Sequence, residues 1–177
     1  SRYLGREPFF VRPGIKTGMP LRVEAPQELG ADRLCDAVAA HRKYGGPCVV
    51  IDFGTAVTWE VVSAAGEYLG GAIAPGPGLT VEVLSSRTAK LPHVALAPPE
   101  RVIGKGTVDS IQSGVFYGYL GLVDGVTRRI LAEIGPAPVI ATGGFAATIA
   151  EHSETIEHVD DDLTLEGLAL LWRKNRS

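Results

Sequence analysis

The stretch Cys48-Val-Val-Ile-Asp-Phe-Gly-Thr-Ala-Val-Thr-Trp-Glu-Val-Val62 is an apolar run broken in its middle by Asp52, Gly54 and Thr55 and then resumed with alternation. It predicts a strand, a tight turn and a second strand. On the second strand Val57, Trp59 and Val61 share one face and Thr58 and Glu60 the other, the period of two of a half-buried strand. The first strand ends in an acid, a glycine and a hydroxyl. Such an end can hold phosphate: Gly54 lets backbone approach closely, Thr55 and neighbouring N–H groups can donate, and Asp52 can hold a cation. An Asp-x-Gly-Thr turn also serves ordinary hairpins, so this reading draws its weight from the rest of the chain.

Downstream, Ala65-Gly66-Glu67 reads as a turn and residues 68–74 as a third strand, which completes an antiparallel meander ending at Pro75-Gly76-Pro77-Gly78. A helix is predicted over 79–91 with Leu79, Val83 and Leu84 on its buried side, followed by a Pro-rich connection over 92–106 with an apolar alternation at Val94-Ala-Leu96. The longest helix is predicted over 107–134, with Ile111, Val115, Leu122, Val126 and Ile130 as its stripe. It also lines up Gly114, Gly118, Gly121 and Gly125 on one face. Each interior glycine costs about 1 kcal/mol against alanine, so close approach of another backbone, within the domain or from a second subunit, is the expected compensation. The tail predicts a strand at 138–141 ending in Thr142-Gly143-Gly144, a short helix from Phe145, a strand over 155–159 and a last helix over 163–172. The Asp160–Asp162 run reads as helix-start acid, and the four histidines as surface or packing residues.

Upstream, Pro8-Phe-Phe-Val11 reads as a strand, and residues 14–30 as loop with at most a brief strand at Leu21-Arg-Val-Glu24. From Ala31, apolar positions at Leu34, Ala37 and Val38 follow helical spacing until Gly45-Gly46 ends the element. Asp32 then lies in the first turn. There it either complements the macrodipole or, ionised beside Arg33, accepts a proton from an attacking hydroxyl while Arg33 grips an anion.

Composition sets outer bounds. The 177 residues are 45% hydrophobic and 21% charged, which excludes disorder, and no apolar run is long or clean enough to cross a bilayer. A formal net charge of −3 with scattered basic residues shows no footprint for nucleic acid. Cys35 and Cys48 form no metal or redox motif, so two free thiols in a cytoplasmic protein are expected. The chain opens on Ser1 with its single methionine, Met19, inside a loop, so a start further upstream is expected.

The order of these parts resembles the second lobe of the actin, Hsc70 and sugar-kinase superfamily: an α/β, actin-like or ribonuclease-H-like lobe whose mixed sheet carries a three-strand antiparallel meander flanked by helices. More specifically, the chain closely resembles type III pantothenate kinases. The matching stretches are Gly14-Ile-Lys-Thr-Gly18, Gly30-Ala-Asp-Arg33, Asp52-Phe-Gly-Thr-Ala-Val-Thr58, Gly66-Glu-Tyr-Leu-Gly-Gly-Ala-Ile-Ala-Pro-Gly76, Arg87-Thr-Ala-Lys-Leu-Pro92 and Gly104-Lys105. They continue with Gln112-Ser-Gly-Val-Phe-Tyr-Gly-Tyr119, Ala141-Thr-Gly-Gly144 and Asp162-Leu-Thr-Leu-Glu-Gly167.

The resemblance implies ATP-dependent phosphorylation of pantothenate, the first step of coenzyme A biosynthesis, by a cytoplasmic homodimer that uses ATP, magnesium and a monovalent cation, potassium or ammonium. It assigns Asp32 as proton acceptor, Gly30, Ala31, Asp32, Arg33 and Thr107 as pantothenate contacts, Asp52 as the ligand of the monovalent cation, and Gly54, Thr55, Thr58, Gly143 and Gly144 as the ATP side. Val23 stands where the family often has a tyrosine, which implies a more apolar pantothenate pocket or a replacement for the phenol. The family's opening Asp-x-Gly-Asn-Thr phosphate loop has no counterpart in this sequence. Residues 1–46 are therefore expected to be a remnant of the first lobe and 47–177 the second, with weak or no turnover by this chain alone. A non-catalytic homologue acting as a transcriptional accessory factor is the alternative, since fold does not fix function.

Overall fold

The computed structural model describes residues 5, 8–87, 92 and 94–176. Its centre is a five-stranded mixed sheet in the order β3-β2-β1-β4-β5. The strands are β1 (Cys48–Phe53), β2 (Ala56–Val62), β3 (Tyr68–Pro75), β4 (Val139–Gly143) and β5 (His158–Val159). β1 pairs antiparallel with β2, and β2 with β3, whereas β1 pairs parallel with β4 and β4 with β5. The expected meander is present. The helices are α1 (Ala31–Tyr44), α2 (Pro77–Arg87), α3 (Thr107–Ile134), α4 (Ala146–Ala150) and α5 (Leu163–Arg176).

Strand parity sorts the core into two layers. Val49, Ile51 and Phe53 of β1, Val57 and Trp59 of β2 and Val139 and Ala141 of β4 point to one face, where Val115, Phe116, Tyr119 and Val123 of α3 cover them. Cys48, Val50, Val62, Tyr68 and Ile140 point to the other, under Ala37 and Ala40 of α1 and Leu163 of α5. Both faces are therefore covered. The expectation of a half-buried β2 is corrected: Glu60 is fully buried, with Trp59, Val57 and Val62. The unbroken apolar run of β1 carries that signal, because a strand covered on both faces reads as continuous rather than alternating.

Smaller expectations are also corrected. The run at 8–11 forms no strand; Phe9 and Val11 instead pack against Leu34, Cys35 and Leu171, with Phe10 exposed. Leu21 makes one isolated bridge to Tyr68 in place of the brief strand allowed for at 21–24. On α2 Pro77 and Val81 are buried and Leu84 packs against the core as expected, whereas Leu79 and Val83 are exposed, and the predicted extension over 88–91 lies outside the described residues, as does His93. The α3 stripe holds, with Val115 buried and Ile111, Leu122, Val126 and Ile130 packed against the core, but it is wider than expected: Phe116, Tyr119, Val123 and Thr127 are buried too, and Trp59 Nε1 donates to Thr127 Oγ1 at 3.1 Å. Asp160 is nearly buried and takes Lys43 Nζ at 2.6 Å and the Tyr44 hydroxyl at 3.0 Å, which ties α1 to the approach of α5. Among the described residues no helix is long and apolar enough to cross a membrane.

Candidate active site

Only Gly45, Gly46 and Pro47 separate α1 from β1, so the helix runs back along the sheet and its first turn lies over the carboxyl end of β1. The parallel neighbour β4 ends at the same edge, with Asp52 opposite Thr142 and Phe53 opposite Gly143. Ligands of open α/β sheets bind outside such strand ends. Here the edge is polar by register: Thr142 on β4, Asp52 on β1 and Thr58 on β2 stand in one row across three strands.

Gly143 closes this edge tightly. Its φ is +90°, and a Cβ there would collide with Asp52 Oδ1 and meet the Phe53 backbone nitrogen at 2.8 Å. Gly144 is open and exposed, and Gly54 and Thr55 at the tip of the β1–β2 turn are exposed too. Behind them, the backbone N–H of Gly76 donates to Thr55 O at 2.9 Å and tethers the start of α2 to the turn.

Asp32 is exposed in the first turn of α1. Its Oδ1 accepts the Arg33 N–H at 2.8 Å, which leaves Oδ2 without a hydrogen-bond partner among the described residues. The N-cap Gly30 has no side chain to cap this helix start, and with the Arg33 N–H taken by Asp32 the N–H groups of Ala31 and Asp32 remain available to an anion. The Arg33 side chain is only 18% exposed and pairs with Glu60. Burial opposes its charge, but the hydrogen bond and charge of Glu60 outweigh that and hold the guanidinium above its ordinary value.

Burial, then the charges of Asp32 and Glu60, push Asp52 up to about 6. A cation beside it would reverse that, since an opposite charge favours the carboxylate. The Thr58 hydroxyl next to it in the row is buried without a partner. An unpaired hydroxyl and a carboxylate are hard oxygen donors, so these residues fit an alkali or ammonium ion. Among the described residues no group of three or more His, Cys, Asp or Glu side chains could hold a metal ion.

One turn beyond Asp32, Asp36 is fully buried between α1 and α5, where Thr164 Oγ1 donates to its Oδ1 at 2.6 Å and Oδ2 has no partner. Burial pushes its carboxyl up to about 7, against the Thr164 hydrogen bond and with the help of the Asp52, Glu60 and Asp32 charges. The unfolded chain releases this proton near pH 4, so between there and about 7 the folded state binds more protons and stability falls as pH rises. Asp36→Asn removes that contribution. Urea titrations of the full-length protein between pH 5 and 8 are expected to show a stability loss smaller by on the order of 1–3 kcal/mol in the variant.

The structure thus brings Gly30, Ala31, Asp32, Arg33, Asp52, Gly54, Thr55, Thr58, Gly143 and Gly144 to one edge of the sheet. It leaves Thr107 elsewhere, at the start of the helix that covers the opposite face. Val23 packs under α1 beside Gly70, with 3.6 Å between its Cγ1 and a Cβ built on that glycine. Glu60, Tyr68 and Asp36 are the polar residues of this region that sequence reading passed over. Glu60 looked like the outward residue of an alternating strand, and only the long apolar run of β1 pointed to a second covered face.

Comparison with known proteins agrees with this architecture. A crystal structure of a Baf family protein from Campylobacter jejuni, named as a transcriptional activator, superposes with a TM-score of 0.60 at 25% identity over 85% of this chain and 67% of that one. The activator of 2-hydroxyisocaproyl-CoA dehydratase from Clostridium difficile, solved with ADPNP, gives a TM-score of 0.50 at 14% identity over 87% and 69%, a likeness of fold alone. A type III pantothenate kinase from Koribacter versatilis is 53% identical over all of this chain, which spans 65% of that protein's length. The family model for type III pantothenate kinase matches residues 1–129, a span that carries Asp32, Arg33, Asp52 and Thr55. The chain therefore belongs to the type III pantothenate kinase family.

Proposed function

We propose that the protein of which this chain is part transfers the γ-phosphoryl group of ATP to the primary hydroxyl of pantothenate, the first step toward coenzyme A. The observation that carries this reading is the meeting of Asp32 and Arg33 on α1 with Asp52 and Thr55 on the β1–β2 turn, in a chain of this family. Phosphoryl transfer passes through a loose transition state, so positioning and charge neutralisation supply most of the catalysis. The free oxygen of Asp32 orients the pantothenate hydroxyl and accepts its proton late. Arg33 and the open N–H groups of the α1 start hold the anionic acceptor, and Val23 makes the adjoining wall apolar. The hydroxyls of Thr55 and Thr58 and the bare backbone at Gly54, Gly143 and Gly144 receive the nucleotide. Asp52 and Thr58 would hold a monovalent cation, which would offset phosphate charge, and magnesium would neutralise phosphate charge from the side of the first lobe.

Residues 1–46 as part of a first lobe, and 47–177 as the second, belong to the same proposal. So does a homodimer. Cβ atoms built on Gly114, Gly118 and Gly121 would meet nothing within 4 Å, so no backbone among the described residues fills this part of the glycine face of α3. A groove of about 520 Å³ lined by Thr80, Leu84, Ile111 and Leu122 runs beside it. A second copy seated there brings a partner backbone to the glycines and can carry Thr107 toward the site.

The test is ADP release by the full-length protein with and without pantothenate, with pantetheine and simple sugars as competing acceptors. Release that depends on pantothenate is expected. A protein that binds no ATP and turns over no pantothenate refutes the kinase reading and favours the regulatory one suggested by the name of the Campylobacter protein.

A further inference from the structure

The pair between Arg33 and Glu60 is built in an unusual way. Arg33 Nε alone reaches the carboxylate, at 2.8 Å from Oε1 and 3.0 Å from Oε2, while Tyr68 donates its hydroxyl to Oε2 at 2.5 Å. An arginine pairs most strongly with a carboxylate through two parallel N–H donors. Here neither Nη group reaches Glu60, and Arg33 also interacts with the Tyr68 side chain. Glu60 itself is fully buried, and a buried ion pair is a weak source of stability compared with apolar residues of the same volume. Stability therefore does not explain the arrangement. Its geometric consequence does: the stem of Arg33 is held from behind at Nε, next to Asp32, with neither Nη group spent on Glu60.

We propose that Glu60 is a positioning residue, which grips Arg33 at Nε and so presents its two Nη groups to the carboxylate of the acceptor, with Tyr68 fixing Glu60. This rests on the reading of the protein as a pantothenate kinase. Pantothenate carries one carboxylate, far from the hydroxyl that reacts, so a misplaced fork weakens binding of the acceptor and leaves the phosphoryl-transfer chemistry in place. Glu60 acts here only through Arg33.

The experiment is steady-state kinetics of the full-length protein with pantothenate and with its uncharged alcohol analogue, whose carboxylate is replaced by a hydroxymethyl group. Glu60→Gln is expected to raise KM for pantothenate about 10–100-fold, the scale of a lost charge-assisted hydrogen bond, with kcat and the KM for ATP changed less than about threefold. With the alcohol analogue, wild type and variant should share one KM. In the background of Arg33→Met, adding Glu60→Gln should change pantothenate KM no further, because a residue acting through its neighbour is not additive with it. An unchanged pantothenate KM, an equal rise for both acceptors, or full additivity with Arg33→Met overturns the proposal. If Glu60→Gln does not fold, Tyr68→Phe carries the test: a rise of about threefold confined to the charged acceptor supports it, and no rise or an equal one for both overturns it. Wild-type protein without pantothenate-dependent turnover removes the kinase reading and this inference together, whereas wild-type turnover with an unmoved variant removes only the inference.

Discussion

Asp32→Asn in the full-length protein is expected to lower pantothenate-dependent ADP release about 10²–10⁴-fold, the usual worth of a positioned general base. The substitution is close to isosteric. The Asn carbonyl oxygen can still accept the Arg33 N–H that Asp32 Oδ1 takes at 2.8 Å, so the first turn of α1 keeps its local hydrogen bond. What changes is the second atom, from a free carboxylate oxygen to an NH₂ group that cannot accept a proton. Folding loses only the interaction of one exposed acid with the helix dipole, about 0.3–1 kcal/mol. Rate and thermal midpoint therefore separate the two roles of Asp32. A fall of two or more decades in kcat with the midpoint nearly unmoved identifies the base. An unchanged kcat means that Asp32 serves the helix alone.

The second large effect is structural. Gly167→Ala is expected to cost about 3 kcal/mol and to lower the thermal midpoint by about 10 °C. Gly167 is in α5 where it crosses α1, and a Cβ built on it would collide with the Cys35 carbonyl oxygen and lie 2.5 Å from the Cys35 carbonyl carbon and 2.7 Å from its Cα. These are backbone atoms of a helix and cannot swing aside as a side chain can. The helices must separate. Since α1 carries Asp32 and Arg33 over the edge of β1, the separation displaces the candidate site as well, and KM for pantothenate should rise together with the loss of stability. Differential scanning calorimetry beside steady-state kinetics checks both. A variant as stable as wild type would show that α5 can retreat without cost.

The two effects explain different matches to the family. On the proposed reading Asp32 lies in a stretch whose value is chemical, whereas Gly167 closes a stretch, Asp162-Leu-Thr-Leu-Glu-Gly167, whose residues pack and pair. Thr164 donates to the buried Asp36, Leu163 enters the core under the sheet, and Gly167 admits α1.

Most elements were readable because their causes are local. Glycine at 45 and 135 stops α1 and α3 where the periodic apolar residues end, and both are Gly with positive φ, at 81° and 85°. The hairpin at 52–56 and the meander follow from turn residues set between strand-forming runs. The site edge was legible too, as an acid, a glycine and a hydroxyl at the end of an apolar strand. By itself the sequence thus determined the element order, the fold class and the motif that marks the family.

Only tertiary structure decided which polar residue faces which. Glu60 and Arg33 are 27 positions apart and Asp36 and Thr164 are 128 apart, and no short-range period encodes such pairs. Covering the second face of β2 turned an apparently outward Glu60 into a buried one, because α1 and α5 supply a layer that strand alternation cannot report. The same packing set Thr107 on the far side of the sheet from Asp32, although both were read as pantothenate contacts. Local sequence fixes dihedral preference and periodicity, while burial and charge pairing arise where distant segments exclude water together.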